Sequence, residues 1–209
     1  MKKLLLSLIA TGTIFLNACN DNASTSEGSG LDSSNTTDTI QHAAEPIDEA
    51  VETVAVTYTN LDAKVSASIK EIMGYYLHVK NALVSDNSNE AATGAQAMMD
   101  AFTKLDKSLL TAEQKRVYDT NADKLTSPAA SIANNGDKIK VQRAQFAVMS
   151  EALYQLAKAF GGGRDLYHDH CPMFNENKGA IWLSETKEVK NPYYGSEMLT
   201  CGTVQEMIK

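Results

Sequence analysis

The chain has 209 residues, of which 43% are hydrophobic and 22% are charged, and its formal net charge is −7. The negative charge is concentrated in residues 19–60, which contain eight acidic residues and no Lys or Arg, whereas residues 61–209 contain 17 basic and 18 acidic residues. A nearly neutral folded region has no basic patch for a phosphate backbone, which argues against nucleic acid as a partner. Roughly 150 residues suffice for one domain with a full core.

Residues 1–18 have the pattern of a secretory signal peptide, since two lysines precede an apolar stretch that is too short to span a bilayer permanently. The run Leu16-Asn17-Ala18-Cys19 resembles the bacterial lipobox. That resemblance implies cleavage after Ala18 and a lipid-modified Cys19. Several acyl chains on one cysteine hold a protein stably at a membrane surface. We therefore expect an exported lipoprotein of the cell envelope, in the periplasm or at the outer membrane, that is anchored and not spanning.

The next segment, residues 19–60, is predicted to be a flexible acidic tether, because residues 20–40 are almost entirely Ser, Thr, Asn, Asp and Gly. Its last part is ambiguous. Val51, Val54 and Tyr58 would extend a following helix, but the β-branched residues around them disfavour one. We place the folded domain at residues 61–209.

Apolar residues then recur at spacings of three and four in four segments, which predicts four amphipathic helices. The spaced positions are Val65, Ile69, Ile72, Tyr76, Val79 and Leu83; Ala91, Ala95, Met98, Phe102 and Leu105; Tyr118, Ala122, Leu125, Ala129 and Ile132; and Phe146, Met149, Leu153, Leu156 and Phe160. The short connections between the helices favour an antiparallel up-and-down four-helix bundle, so the predicted fold class is mainly α.

Local signals mark the ends of the third and fourth helices. Thr111 and Gln114 form a capping-box pattern at the start of the third helix, and Pro128 is expected to kink or split it. The run at residues 134–137 supplies a turn and an N-cap for the fourth helix, and the three glycines at residues 161–163 end it.

Helical spacing is lost after the three glycines. The tail contains β-forming residues separated by turns at residues 175–179 and at Asn191-Pro192. These β-formers are Tyr167, Ile181, Trp182, Val189, Tyr193 and Tyr194. We expect short strands or ordered loops that pack over one end or side of the bundle, with Trp182 as an anchor.

The same tail gathers two imidazoles, two thiols and two thioethers. They belong to His168, His170, Cys171, Met173, Met198 and Cys201. Sulfur and imidazole donors suit soft ions such as Cu(I) and Zn(II), and mixed cysteine and methionine donors favour copper as Cu(I). In an extended strand the histidines point away from Cys171 and Met173. The better predicted ligand set is therefore the two cysteines with the two methionines, with one histidine as an optional addition.

A disulfide between Cys171 and Cys201 is the alternative. The lipobox resemblance commits Cys19 to lipid, which leaves these two cysteines as a natural pair in an oxidising compartment. A bridge across about thirty residues would contribute about 3–4 kcal/mol if loop entropy dominates. The domain would then be a protein-interaction module without a metal site. The two interpretations are compatible if a labile disulfide opens to a thiolate site.

An enzyme with Cys171 as nucleophile and a histidine as base is chemically conceivable. However, the sequence has no partner motif, no orienting acid at a recognisable spacing and no glycine-rich phosphate loop. We therefore do not expect an enzyme.

Several runs of the chain closely resemble an uncharacterised bacterial domain family. They are Cys171-Pro172-Met173, residues 178–184, residues 190–195, Met198-Leu199-Thr200-Cys201-Gly202, Tyr76 with Ala82-Leu83, and residues 143–153. The resemblance spans roughly residues 66–208. That family occurs as exported stand-alone proteins and as the C-terminal module of periplasmic adaptor subunits in copper and silver RND efflux systems.

The resemblance implies a role in handling copper or a related soft metal, with a heavy-metal efflux component as partner. Carried over to this sequence, the matching positions are Cys171, Met173, Met198 and Cys201. His168 and His170 lie outside the matching runs, so their assignment rests on ligand chemistry alone.

Overall fold

The computed structural model describes residues 51–209, a mainly helical region with a small mixed sheet at its C-terminal end. The long helices are α1 (Ala63–Val84), α2 (Ser88–Lys104), α3 (Ala112–Ala133) and α4 (Ile139–Phe160). Each helix packs against the next along the chain. All the predicted core positions are buried except Ala122, which is half-buried. Within residues 51–209, every helix is too short or too polar to cross a bilayer.

The helix ends confirm two local predictions and correct one at the start of α4. The Thr111 hydroxyl accepts a hydrogen bond from Gln114 N, and the Gln114 side chain accepts one from Thr111 N, which completes the capping box. Helix α4 ends at Gly161, whose φ of 75° favours glycine. In contrast, α3 continues through the buried Pro128 without splitting. The N-cap of α4 is Lys138 and makes no side-chain capping bond, so the expected polar cap is absent at that position.

The sheet contains four strands in the order β1-β4-β2-β3. They are β1 (Glu52–Val54), β2 (Leu166–Cys171), β3 (Ala180–Ser184) and β4 (Thr203–Ile208). Strand β2 pairs antiparallel with both β3 and β4, whereas β1 pairs parallel with β4. Strand β1 comes from the segment that we assigned to the tether, so the folded region extends N-terminal of residue 61. The signal peptide, the lipobox and Cys19 lie outside the described residues.

Tyr76 of α1 joins the helices to the sheet. Its hydroxyl accepts a hydrogen bond from the backbone N of Leu183 in β3 at 3.0 Å and shares another with Ser150 Oγ of α4 at 2.8 Å. Its ring stacks on Phe146 of α4, with centroids 5.0 Å apart. Because the side chain is fully buried, burial raises the pKa of Tyr76 and keeps the hydroxyl protonated as a donor. The expected anchor, Trp182, is also fully buried.

We predict that Tyr76→Phe lowers the free energy of unfolding by about 1–3 kcal/mol, because it leaves Leu183 N and Ser150 Oγ buried without their shared partner. Urea denaturation measures the loss. The neighbouring Tyr75→Phe, at a half-buried tyrosine, serves as the matched control. Equal stability of the two variants would contradict this account of the helix–sheet junction.

Candidate functional site

Three sulfur atoms meet at one end of the sheet. Cys201 Sγ lies 3.8 Å from Cys171 Sγ and 3.7 Å from Met173 Sδ. Both cysteines are free thiols. We call Cys171, Met173 and Cys201 the sulfur cluster. The three residues come from the end of β2, the turn that follows it and the turn before β4, so the fold brings together parts of the tail that are thirty residues apart.

Cys171 is the buried member of the sulfur cluster. It is the last residue of β2 and lies opposite Ala180 of β3. Its side chain is 0% exposed. Side chains alternate between the two faces of a strand, so Cys171 lies on the face opposite to His168 and His170. Residues 166–171 are thus extended, which is the condition for the predicted separation of the histidines from Cys171.

Cys201 is held by its backbone. The Asn191 side chain, which is fully buried, donates a hydrogen bond to Cys201 O at 2.6 Å and accepts one from Tyr193 N at 2.7 Å. Gly202 follows with a φ of 141°, and a Cβ atom there would lie 2.8 Å from Trp182 Cη2. The sequence predicts only a turn at Asn191-Pro192. An asparagine that caps its own turn through the residue two positions later is a known Asx pattern, but its long-range bond to Cys201 has no sequence signal.

Met173 lies just before a turn in which three residues adopt left-handed backbone conformations, with φ of 54° at Asn175, 58° at Glu176 and 63° at Asn177. Asparagine tolerates this region better than most residues, which fits two of the three positions. The Tyr194 hydroxyl donates a hydrogen bond to Met173 O at 3.1 Å. The turn and this bond together hold Met173 beside Cys201.

The other predicted ligands make different contacts. The His168 ring stacks on Tyr154 of α4, with centroids 4.2 Å apart, and its Nδ1 is 3.9 Å from Glu206 Oε1. Burial lowers the pKa of His168, which favours the neutral ring. His170 packs against Gly179. Met198 belongs to the turn that leads to Cys201, and its backbone O accepts a hydrogen bond from Cys201 N at 3.1 Å. Among the described residues, the sulfur that accepts a hydrogen bond from the Cys201 thiol is that of Met173.

The sulfur cluster is open on one side. Cys201 is partly exposed and Met173 is 44% exposed, in contrast to the buried Cys171. Burial raises the pKa of the Cys201 thiol. The neighbouring Cys171 raises it further, first through the hydrogen bond between the two thiols and then because two thiolates repel each other. A cation between the sulfur atoms would remove that repulsion and favour the thiolate forms.

The spacing of the sulfur atoms suits a single soft ion. A metal–sulfur bond of about 2.3 Å separates two ligands by about 3.8 Å in tetrahedral geometry and about 4.0 Å in trigonal geometry. The two sulfur–sulfur separations from Cys201, 3.8 and 3.7 Å, lie close to this distance. Among residues 51–209, no group of three or more His, Cys, Asp and Glu side chains has the arrangement of a metal site. The sulfur cluster combines two cysteines with a methionine, and is therefore a different kind of donor set.

Asp169 is a buried acid on the same face of β2 as Cys171. Its side chain is fully buried, and neither carboxylate oxygen has a hydrogen-bond partner within the described region. Burial raises the pKa of Asp169 from 3.8 to about 8, and the charge of Lys80 opposes the shift only in part. An aspartate between two histidines carries no sequence signal of burial without hydrogen-bond partners, so the sequence does not predict the environment of Asp169.

Comparison with known proteins identifies a domain but no activity. A family described as "Protein of unknown function (DUF3347)" matches residues 72–165, from the middle of α1 to the start of β2. The sulfur cluster lies outside this match. No curated protein and no solved structure matches the chain. The helical part of the chain is thus similar to an uncharacterised domain family, and its connection to efflux adaptors stays a prediction.

We predict that Asp169→Asn changes how stability depends on pH. A folded-state pKa raised from 3.8 to about 8 contributes stability that is complete below about pH 4 and is lost as the pH rises toward 8. The asparagine variant avoids ionisation. It should match the parent at about pH 4 and exceed it at about pH 9 by several kcal/mol, since the shift spans about four pKa units and one unit corresponds to about 1.4 kcal/mol.

Urea denaturation of the parent and Asp169→Asn at both pH values measures this difference. Asp165→Asn, at an exposed aspartate just before β2, is the control. A constant difference between Asp169→Asn and the parent at all pH values would show that Asp169 does not titrate in this way.

Proposed function

We propose that the chain binds one soft metal ion, with Cu(I) as the favoured ion, in the sulfur cluster of its tail. The observation that carries the proposal is the position of Cys201 Sγ, which lies 3.8 Å from Cys171 Sγ and 3.7 Å from Met173 Sδ. Two thiolates and a thioether are soft donors that favour Cu(I) over harder cations. The two separations from Cys201 Sγ, 3.8 and 3.7 Å, are those of sulfur ligands that share one ion.

Ion binding at this site releases protons. Both thiols must lose a proton to become ligands, and the raised pKa of Cys201 means that the empty site holds its proton at neutral pH. The neutral Met173 thioether adds a donor without a proton. The apparent affinity should therefore rise with pH, and the bound ion would be partly screened from water by the buried Cys171.

The helices are the scaffold in this proposal, and we further propose that they form an antiparallel up-and-down bundle. Short connections at residues 85–87 and 134–138 support that topology, as does the packing of each helix on the next. Strand β3 contacts α1 and α4, so the bundle supports the strand that lies beside Cys171.

The cellular setting of the proposal comes from the sequence. The lipobox resemblance at Cys19 supports export and lipid anchoring in the bacterial cell envelope. The resemblance to adaptor modules of copper and silver exporters supports a role in soft-metal homeostasis or efflux, with an efflux component as partner. Binding and carrying an ion needs no catalytic residue, so the proposed role is not enzymatic.

We predict that Cu(I) binds one-to-one to the reduced full chain, measured by anaerobic competition with a chromogenic chelator. Every variant carries Cys19→Ser so that Cys171 and Cys201 are the only thiols. Cys171→Ser or Cys201→Ser should weaken binding by about a hundredfold or more, and Met173→Leu by roughly tenfold, because each removes a donor.

Met198→Leu and His168→Gln are the matched controls, and we expect both to bind Cu(I) within about threefold of the parent. Unchanged affinity after Cys171→Ser and Met173→Leu are combined would refute the site. An absence of binding in both the reduced and the oxidised chain would leave the domain as a protein-interaction module.

A further inference from the structure

We propose that Cys201 and Cys171 form a reversible disulfide in a fixed order, in which Cys201 reacts first and Cys171 resolves the intermediate. The proposal deepens the proposed function, because closing the disulfide would remove two of the three sulfur donors. The order of reaction itself rests only on the positions of the two thiols and does not require a bound ion.

The separation of the thiols permits the bond. The two Sγ atoms are 3.8 Å apart, whereas a disulfide requires about 2.05 Å. The backbone of Cys201 is held by the buried Asn191 side chain, and the following Gly202 packs against Trp182. Cys171 is held in β2 between its two neighbouring strands. Closure therefore requires the two sulfur atoms to move about 1.8 Å closer together, and rotation of the cysteine side chains changes this separation.

The exposure of the thiols sets the order. Cys171 is 0% exposed, whereas Cys201 is partly exposed and lies beside Met173, which is 44% exposed. A soluble disulfide molecule can reach Cys201 in the folded chain but can reach Cys171 only after a local opening of the tail. Cys171, in turn, is already in contact with the sulfur of Cys201.

The chemistry is two successive thiol–disulfide exchanges with a small-molecule disulfide such as oxidised glutathione. Cys201 loses a proton to water and its thiolate attacks one glutathione sulfur, so that one glutathione leaves as a thiolate and takes up a proton. Cys171 then loses its proton and attacks Cys201 Sγ, which releases the second glutathione in the same way. In total, two protein thiols are oxidised to one disulfide and one glutathione disulfide is reduced to two thiols.

Formation of the disulfide removes the thiolate donors of the sulfur cluster. The oxidised pair has no thiolate to offer, so only the thioether of Met173 remains as a donor in the sulfur cluster. Reduction by glutathione or a dithiol restores all three donors. The ratio of disulfides to free thiols around the protein would thus determine whether the site is able to hold a soft ion.

The experiment uses the full chain with Cys19→Ser, metal-free and reduced, incubated with oxidised glutathione. Intact mass and peptide mapping follow the products over time. We expect the parent to form the Cys171–Cys201 disulfide without accumulating an adduct. Cys171→Ser should accumulate one glutathione adduct on Cys201. Cys201→Ser should form its adduct on Cys171 at least about tenfold more slowly, because the target sulfur is buried.

A denaturant control separates the effect of the fold from that of the thiols. In urea the two single variants should react at similar rates, since both thiols are then exposed. Comparable rates in the folded chain, or a parent that accumulates adducts without closing the disulfide, would overturn the proposal. Because no metal is present, these outcomes are independent of the Cu(I) titration, so failure of one proposal is distinguishable from failure of the other.

Discussion

The contact on which the tail depends is the shared hydrogen bonding of the Tyr76 hydroxyl. When a sheet packs on helices, the backbone N–H and C=O groups of its edge strand lose contact with water and need other hydrogen-bond partners. Leu183 N of the edge strand β3 donates its hydrogen bond to the Tyr76 hydroxyl. Ser150 completes the arrangement from α4. Since β3 pairs with β2, fixing β3 against α1 and α4 also fixes the strand that ends at Cys171.

A second constraint operates at the far end of the tail. The buried side-chain amide of Asn191 accepts a hydrogen bond from Tyr193 N in its own turn and donates one to Cys201 O, and it thereby joins these two turns of the tail. The hydroxyl of Tyr194, in the same turn, donates a hydrogen bond to Met173 O. The sulfur cluster thus lies between strand β2, which is held by β3, and the turns that Asn191 and Tyr194 hold by hydrogen bonds. It combines one buried thiol with two more accessible sulfur atoms, an arrangement that suits an ion which is taken up and released.

The sequence predicts the helical part well because helices are governed by local spacing and caps. The positions of Val65 to Phe160, the capping box at Thr111 and the end at Gly161 all follow from near neighbours in the chain. The tail is less predictable. Strand β1 pairs parallel with β4 across about 150 residues, and no local pattern predicts which distant strand a short β-branched run will join.

The predicted metal ligands also fall into those that local sequence determines and those that tertiary packing determines. Strand alternation alone places His168 and His170 away from Cys171. The choice between Met173 and Met198 depends on the left-handed turn after Met173, which tertiary packing determines. The most direct test is X-ray absorption at the copper edge on the Cu(I)-loaded full chain carrying Cys19→Ser. We predict three sulfur neighbours at about 2.3 Å, falling to two in Met173→Leu. Imidazole nitrogen neighbours, or a spectrum unchanged in Met173→Leu, would contradict the assignment of the ion to the sulfur cluster.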